Sequence, residues 1–268
     1  MTPLHAIAYG LLGLVAGGLG TLLGTGGGFV LLPMLMLLHP HEPAANLAAI
    51  SLAIVCANAI SGSIAYARMR RIDYRSAIGF SLAGLPGAVL GAWATQFVDR
   101  RLFDPLLGVV FILGALTVLL KPARGHPAGA GAATRTLVER DGTTHAYTPR
   151  IAAGIPINVG VGFISTLFGI GGGILRIPVM ICFLGFPTHV AAATSQAVLV
   201  VLSLAGVVVH AREGILLPAL GRIVPLGLGV VAGAQLGAVI SSRVHGRWIL
   251  WGLALTLASM GVRLLFAH

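Results

Sequence analysis

Long stretches without a charged side chain dominate this sequence, and a single charged residue, Glu42, interrupts the first 67 positions. Beyond residue 67, the longest stretches without a charged side chain cover residues 76–98, 105–120, 151–175, 177–211 and 223–242. A helix of about 20 apolar residues crosses the hydrocarbon core of a bilayer, and most of these stretches are that long. In lipid, only helices and closed barrels satisfy every backbone N–H and C=O group, and the stretches lack the alternation of barrel strands. The pattern therefore predicts an all-α polytopic membrane protein.

Apolar segments and turn residues predict the same order of elements in two halves of the chain. In the first half we expect helices at residues 4–23, 28–38, 44–67, 76–97 and 103–120. In the second half we expect helices at residues 150–168, 173–184, 189–210, 217–241 and 248–266. A glycine-rich break precedes the short second helix of each half. The prediction is eight main helices plus two short half-helices.

The two halves also share a block of sequence. Residues 21–35 read TLLGTGGGFVLLPML, and residues 166–180 read TLFGIGGGILRIPVM. After a slip of one residue, Ser51 aligns with Ser195. A repeated block of this kind indicates an internal duplication. We therefore expect a first membrane repeat at 1–120 and a second at 150–268.

The short helices predict how the halves are oriented. A helix of 11 residues rises about 16 Å, which is half of the hydrocarbon core, so each break should form a hairpin that returns to its starting side. Three full crossings follow in each half, which makes the second repeat inverted relative to the first. Basic residues concentrate at 68–75, at 242–247 and in the polar stretch at 121–149, which the positive-inside rule places in the cytoplasm. Residues 121–149 are therefore predicted to be a cytoplasmic linker loop.

The glycine breaks are the first candidate binding site. Glycine lets the backbone unwind, and the helix that follows begins with free N–H groups and the positive end of its dipole, which suits an anion. The alternative is close helix packing, which accounts well for isolated glycines such as Gly13, Gly87 and Gly91. We favour a substrate cavity lined by the following glycines and one threonine: Gly24, Thr25, Gly26, Gly27, Gly28, Gly169, Gly171, Gly172 and Gly173.

Arg176 is the second candidate, because it lies in an otherwise uncharged stretch just after the second break. An arginine at the centre of a bilayer costs at least about 2.5–3.5 kcal/mol, so it is expected to face a cavity or a partner. Its guanidinium could hold an oxyanion in bidentate fashion, whereas snorkelling or binding of backbone carbonyls is the alternative. Its counterpart in the first half is Leu31. Four further polar residues are expected to line the cavity: Ser51, Thr194, Ser195 and Gln196.

Composition excludes several other functions. The hydrophobic fraction is 57%, only 9% of residues are charged, and the net charge of +10 comes mainly from loop residues, so nucleic-acid binding is not expected. No hydrolase or zinc-protease motif and no carboxylate at membrane depth supports an enzyme, and no phosphate-binding loop supports an ATP-driven pump. We expect no cofactor and no metal; the partners are membrane lipid and a small anionic substrate. Proton or sodium coupling, a homodimer, an anion channel and a scaffold without flux remain open.

The doubled glycine blocks at Gly24–Pro33 and Gly169–Pro178, with the stretch Ala191–Gln196, resemble the TauE/SafE family of sulfite exporters over nearly the whole chain. The resemblance implies a multi-pass protein of the cell inner membrane. It also implies a secondary transporter that exports sulfite, sulfoacetate or a related sulfur-containing organic anion. Transport of a carboxylate without sulfur is the alternative.

Overall fold

The computed structural model describes residues 3–120, 134–244 and 246–266, and the chain is mostly helical. The helices of the first half are α1 (Pro3–Leu23), α2 (Gly28–Leu38), α3 (Ala44–Arg68), α4 (Tyr74–Ala94) and α5 (Arg100–Leu120). Those of the second half are α6 (Ile151–Leu167), α7 (Gly173–Cys182), α8 (Thr188–Arg212), α9 (Leu220–Ser241) and α10 (Gly246–Phe266). All ten helices expected from the sequence are present, with ends that differ by at most a few residues.

Five helices of the described chain are long and apolar enough to cross a membrane. They are α1, α3, α8, α9 and α4 together with its 3-10 extension Thr95–Phe97. Large apolar side chains cover the outside of the helices, among them Leu11, Leu82 and Leu228, which are 59%, 66% and 71% exposed. A soluble protein rarely exposes so continuous an apolar surface, so these side chains face lipid. The structure is that of a polytopic membrane protein.

Helix packing follows one pattern in both halves. Helix α1 packs along α9 and α6 packs along α4, while α3 and α8 contact each other and α5 contacts α10. Exchanging the two halves converts the α1–α9 contact into the α6–α4 contact and leaves the α3–α8 and α5–α10 contacts unchanged. Glycines let the paired helices approach closely: a methyl group added to Gly13 would lie 2.2 Å from the Leu226 oxygen, and one added to Gly87 would lie 2.1 Å from the Val159 oxygen. Close packing is therefore the role of these isolated glycines.

A β-hairpin forms within the stretch expected to be a linker loop. Strands β1 (Arg135–Val138) and β2 (Thr144–Tyr147) pair antiparallel, and Gly142 in the turn has φ 89°. Asp141-Gly142 between two short alternating segments is a recognised hairpin signal, which the linker interpretation passed over. The part of the linker at 121–133 lies outside the described residues.

The hairpin packs against the connection between α3 and α4 and against the connection between α7 and α8. The backbone N–H of Arg140 donates to the Met69 oxygen at 3.0 Å, and the buried side chains of Arg71 and Glu139 form an ion pair. The ring of Tyr147 lies 5.3 Å from that of Phe186 in the connection between α7 and α8. This end of the molecule, named the hairpin end below, therefore carries a folded element that the opposite end lacks among the described residues.

Candidate functional site

Both predicted breaks are present, and glycine creates them. Gly27 and Gly172 immediately precede α2 and α7 in the left-handed conformation, which residues with a Cβ rarely adopt. Four more glycines in the two breaks have positive φ: Gly24, Gly26, Gly169 and Gly171. The chain therefore leaves the helix at matching positions in both halves, as the repeated block predicted.

The two breaks lie against each other at the centre of the protein. A methyl group added to Gly28 would lie 2.8 Å from the Ile170 oxygen, and one added to Gly173 would lie 2.6 Å from the Gly24 oxygen. Val55, near the midpoint of α3, lies against Gly28 and Gly171, and Leu199, near the midpoint of α8, lies against Gly26. The N-termini of α2 and α7 therefore meet beside the middles of the two central helices.

The two predicted serines differ in their hydrogen bonds. Ser51 Oγ donates to the Gly169 oxygen at 2.7 Å and so ties α3 to the second break. Ser195, the matching residue of α8, is fully buried, and its Oγ has no partner among the described residues. A buried hydroxyl without a partner is unfavourable, so Ser195 offers a hydrogen-bonding group to a bound molecule.

A polar cluster lies beside the first break and connects α1, α3 and α8. Gln196 Nε2 donates to Thr21 Oγ1 at 3.2 Å, and Thr21 Oγ1 donates to Asn58 Oδ1 at 2.8 Å. The hydroxyl of Tyr66 donates to the Thr21 carbonyl at 2.7 Å. All four side chains are fully buried. Asn58 Nδ2 and Gln196 Oε1 have no partner in the described part of the chain.

Arg176 is fully buried on α7 and is only partly satisfied. Its Nε donates to Asn158 Oδ1 at 2.8 Å, and Asn158 Nδ2 donates to the Gly154 oxygen at 2.8 Å. The other two guanidinium nitrogens have no partner, and none of the ion pairs formed by described residues includes Arg176. The described chain therefore contains a buried cation with two groups free to bind an anion.

Thr194 and Thr25 contribute less to this arrangement. Thr194 Oγ1 accepts from the backbone N–H of Asp73 at 3.1 Å, so it faces the connection between α3 and α4 rather than the breaks. Neighbouring helical residues point about 100° apart, which explains why Thr194 and Gln196 reach different partners. Thr25 Oγ1 donates to the Gly20 oxygen at 3.4 Å. Every site residue expected from the sequence is buried, so the site is closed to solvent.

The sequence of the chain matches the family model described as sulfite exporter TauE/SafE over residues 9–264. The chain belongs to the TauE/SafE family. The resemblance stated from the glycine blocks is thereby confirmed. The family and its relatives are membrane transporters, so this TauE/SafE protein is a membrane transporter and not an enzyme.

Three relatives described as probable membrane transporter proteins support the same conclusion. The probable membrane transporter protein YunE of Bacillus subtilis is 33% identical, with 96% of each chain covered. A probable membrane transporter protein of Methanocaldococcus jannaschii is 25% identical, with 95% of this chain and 93% of the relative covered. One from Xylella fastidiosa strain 9a5c is 29% identical, with coverages of 86% and 82%. No solved structure matches the chain.

In this TauE/SafE chain, two asparagines were not among the site residues predicted from the sequence. The structure places Asn58 beside Thr21 and Asn158 beside Arg176. Asn58 and Asn158 were visible only as polar residues at membrane depth. Their positions in otherwise apolar helices were the available signal, since an amide inside a membrane protein must find a partner. The partners themselves, Thr21 and Arg176, could not be inferred from spacing.

An acidic centre stabilises the hairpin end. Asp73 Oδ2 accepts from Arg135 Nη1 at 2.7 Å, from the Tyr147 hydroxyl at 3.0 Å and from Ser76 Oγ at 2.8 Å. Burial alone would raise the pKa of Asp73, but these hydrogen bonds outweigh it and hold the pKa below its ordinary value. Burial, reinforced by the charge of Asp73, raises the pKa of Tyr147. The hairpin is therefore held by charged hydrogen bonds on one helix N-cap.

A basic cavity of about 630 Å³ lies beside the hairpin. Arg75, Arg135 and Arg150 line it, and its lining includes no carboxylate. Arg135 is already paired with Asp73, so the exposed Arg75 and Arg150 carry the positive charge of the described lining. Positive charge at a cavity favours the presence of small anions there.

Proposed function

We propose that this protein is a secondary transporter that exports a small anion, with sulfite, sulfoacetate or a related sulfur-containing organic anion as its substrate. The observation that carries the proposal is Arg176, a fully buried guanidinium with two unpaired nitrogens and no carboxylate within ion-pair distance in the described chain. An uncompensated buried charge is strongly unfavourable, so it is retained where a ligand of opposite charge compensates it.

The chemistry of the site favours an oxyanion. Two unpaired guanidinium nitrogens match two oxygens of a sulfite, sulfonate or carboxylate group in bidentate fashion. The N-termini of α2 and α7 add the positive ends of two helix dipoles at the centre of the protein. In the part of the chain that the structure describes, no acidic side chain lies near the breaks to oppose an anion.

The packing pattern supports alternating access between two inverted repeats. The close pairs α1 with α9 and α4 with α6 each join one helix of either half, and exchanging the halves converts one pair into the other. Such a relation lets two equivalent conformations open the site to opposite sides of the membrane. Because both breaks belong to one chain, the site is complete in one protomer, and a homodimer is not needed for it.

The proposed direction and location rest on the distribution of basic residues. The proposed location is the cell inner membrane. The positive-inside rule then puts the hairpin end, with its basic cavity, on the cytoplasmic side. Anions would then collect at the cytoplasmic mouth and leave the cell down their gradient. Coupling to protons or sodium would have to use hydroxyl and backbone groups, since the described helices offer no carboxylate at the breaks.

The test is uptake of radiolabelled sulfite into proteoliposomes by the intact protein and by Arg176→Gln. Because two charge-assisted hydrogen bonds are lost, uptake should fall about a hundredfold in the variant. Arg140→Gln is the matched control, since Arg140 is exposed in the hairpin turn, and it should transport normally. Unchanged uptake by Arg176→Gln would exclude the role of Arg176, and absence of sulfite, sulfoacetate and carboxylate uptake by the intact protein would exclude the function.

An anion channel is the second candidate, and the absence of an acidic coupling group near the described breaks favours it. Uptake that saturates and is accelerated by sulfite on the opposite side identifies the transporter. A current that rises linearly with voltage and does not saturate identifies the channel. Both measurements use the same proteoliposomes.

A further inference from the structure

The amide of Asn58 has a defined orientation. Thr21 donates its one hydroxyl proton to Asn58 Oδ1 at 2.8 Å, and it accepts from Gln196 Nε2 at 3.2 Å. A hydroxyl has a single proton to donate, and in the structure that proton goes to Oδ1, which is the bonded end of the Asn58 amide. The remaining end is Nδ2, a donor that is fully buried and unpaired in the described chain.

Asn58 Nδ2 points at the first glycine break. A methyl group added to Gly27 would lie 3.7 Å from it. Among the described residues, no carbonyl accepts from the backbone N–H groups of Gly27, Gly28 or Phe29, which begin α2. A side-chain donor therefore lies beside the start of an 11-residue helix whose first N–H groups have no backbone acceptor among the described residues.

Packing does not require this polar cluster, because the other half fills the same place with leucine. A methyl group added to Gly62 would meet Gln196 and Thr21. One added to Gly206, the matching glycine, would meet Leu52 and Thr166. By the alignment of the repeats, Leu202 takes the place of Asn58. Burying an unpaired amide where leucine also fits is unfavourable, unless a bound molecule completes its hydrogen bonds.

We propose that Asn58 Nδ2 binds the substrate oxyanion together with the N–H groups at the start of α2, and that Thr21 and Gln196 position the amide. The inference rests on the proposed transport function and adds a donor site in the first half of the chain. Asn58 touches the substrate in this arrangement, whereas Thr21 is a positioning residue that holds Oδ1 away from the anion.

The experiment measures KM and maximal rate for radiolabelled sulfite in proteoliposomes. Asn58→Asp keeps the size and the acceptor for Thr21 but loses the donor, so KM should rise by about tenfold or more. Asn58→Leu copies the second half and should give a similar rise with normal thermal stability. Thr21→Val frees the amide to rotate and should raise KM by about threefold to tenfold with little change in maximal rate.

Thr166→Val is the matched control for Thr21→Val, because Thr166 occupies the equivalent position but donates to the Ala88 oxygen at 2.7 Å. It should leave KM unchanged. Stabilisation of each purified variant by sulfite in detergent gives a second readout that does not depend on reconstitution.

Each outcome decides one question. If the intact protein does not transport sulfite and is not stabilised by it, the proposed substrate fails and this inference fails with it. If the intact protein transports sulfite but Asn58→Asp and Asn58→Leu keep its KM, the Asn58 inference alone is overturned. Loss of stability in Asn58→Leu without a KM change in Asn58→Asp would assign the cluster to packing and also overturn it.

Discussion

The two glycine breaks have the same backbone but different polar neighbours. Gly27 and Gly172 have φ of 80° and 55° in equivalent positions, and each precedes a short helix. The first break has the Thr21, Asn58 and Gln196 cluster beside it, while the corresponding places of the second half contain Thr166 and leucines. Two breaks of similar backbone geometry therefore have different side chains beside them.

Arg176 extends the difference. It lies on α7 with Asn158 as its partner, whereas Leu31 occupies the matching place of α2 and Gly13 the matching place of α1. Gly13 packs directly on the α9 backbone and leaves no room for a polar side chain. The places that correspond to Asn58, Gln196, Asn158 and Arg176 in the other half therefore hold leucine or glycine.

Both polar groups lie on the same side of the breaks. The breaks contact α3 and α8 near the middle of each helix. From there, Asn58 lies towards the end of α3 and Gln196 towards the start of α8, and both of these helix ends lie at the hairpin end. Helix α7, which carries Arg176, also runs from its break towards Phe186 and the hairpin. The comparison teaches that two similar breaks carry different polar groups, and that the groups with unpaired donors, Asn58 and Arg176, lie on the side of the hairpin.

The shared backbone is tested by adding a branched side chain at both breaks. A methyl group at Gly27 would lie 2.6 Å from the Ala16 oxygen, and one at Gly172 would lie 2.6 Å from Ser165 Oγ. Since both positions also have positive φ, Gly27→Val and Gly172→Val should each lower the free energy of unfolding by more than about 4 kcal/mol. The measurement is the thermal stability of each purified variant, with the yield of folded protein as a second readout.

Gly160→Val is the control, because nothing lies within 4 Å of a methyl group at that position of α6. Its stability should match that of the intact protein. Tolerance of valine at one break but not at the other would show that the two breaks do not share one backbone requirement.

The difference between the two ends is tested at the buried ion pair of the hairpin. Glu139→Gln leaves Arg71 buried without its carboxylate, which should weaken docking of the hairpin by about 3–5 kcal/mol. Hydrogen exchange of the backbone amides at 135–147 should then become much faster. The exposed Asp141 provides the control Asp141→Asn, for which exchange in β1 and β2 should stay slow. Slow exchange in Glu139→Gln would show that the ion pair does not hold the hairpin.

The smallest expected effect is that of pH on the same docking. The pKa of Asp73 is lowered in the docked state, so its contribution is fully present above the ordinary pKa of a carboxyl group and is lost as pH falls through the lowered value. A nitroxide label at Thr143→Cys should therefore gain mobility in electron paramagnetic resonance below about pH 4. With Asp73→Asn added, the gain in mobility over that range should be smaller, and any remainder would come from other carboxylates of the hairpin such as Glu139. An equal gain with and without Asp73→Asn would show that Asp73 does not hold the hairpin.

Local pattern was enough for the helices and the breaks. Charge-free stretches gave helix positions within a few residues, and the repeated glycine blocks located both sites of positive φ. Local pattern also contained the turn signal of the hairpin, Asp141-Gly142, but not its docking, because the contacts that hold residues 135–147 come from Asp73 and Arg71 in a distant connection. The order of membrane crossings and the inverted orientation remain predictions.

The sequence by itself determined that this protein is a helical membrane protein with two glycine breaks and a buried arginine, because hydropathy and backbone freedom are properties of short segments. The tertiary structure alone decided which polar groups meet. Thr21 reaches Asn58 and Gln196 on two other helices, Arg176 reaches Asn158, and Thr194 turns away towards Asp73. These partners are set by how the helices pack across the two halves, since a side chain's direction on a helix specifies a face but not the neighbour that covers it.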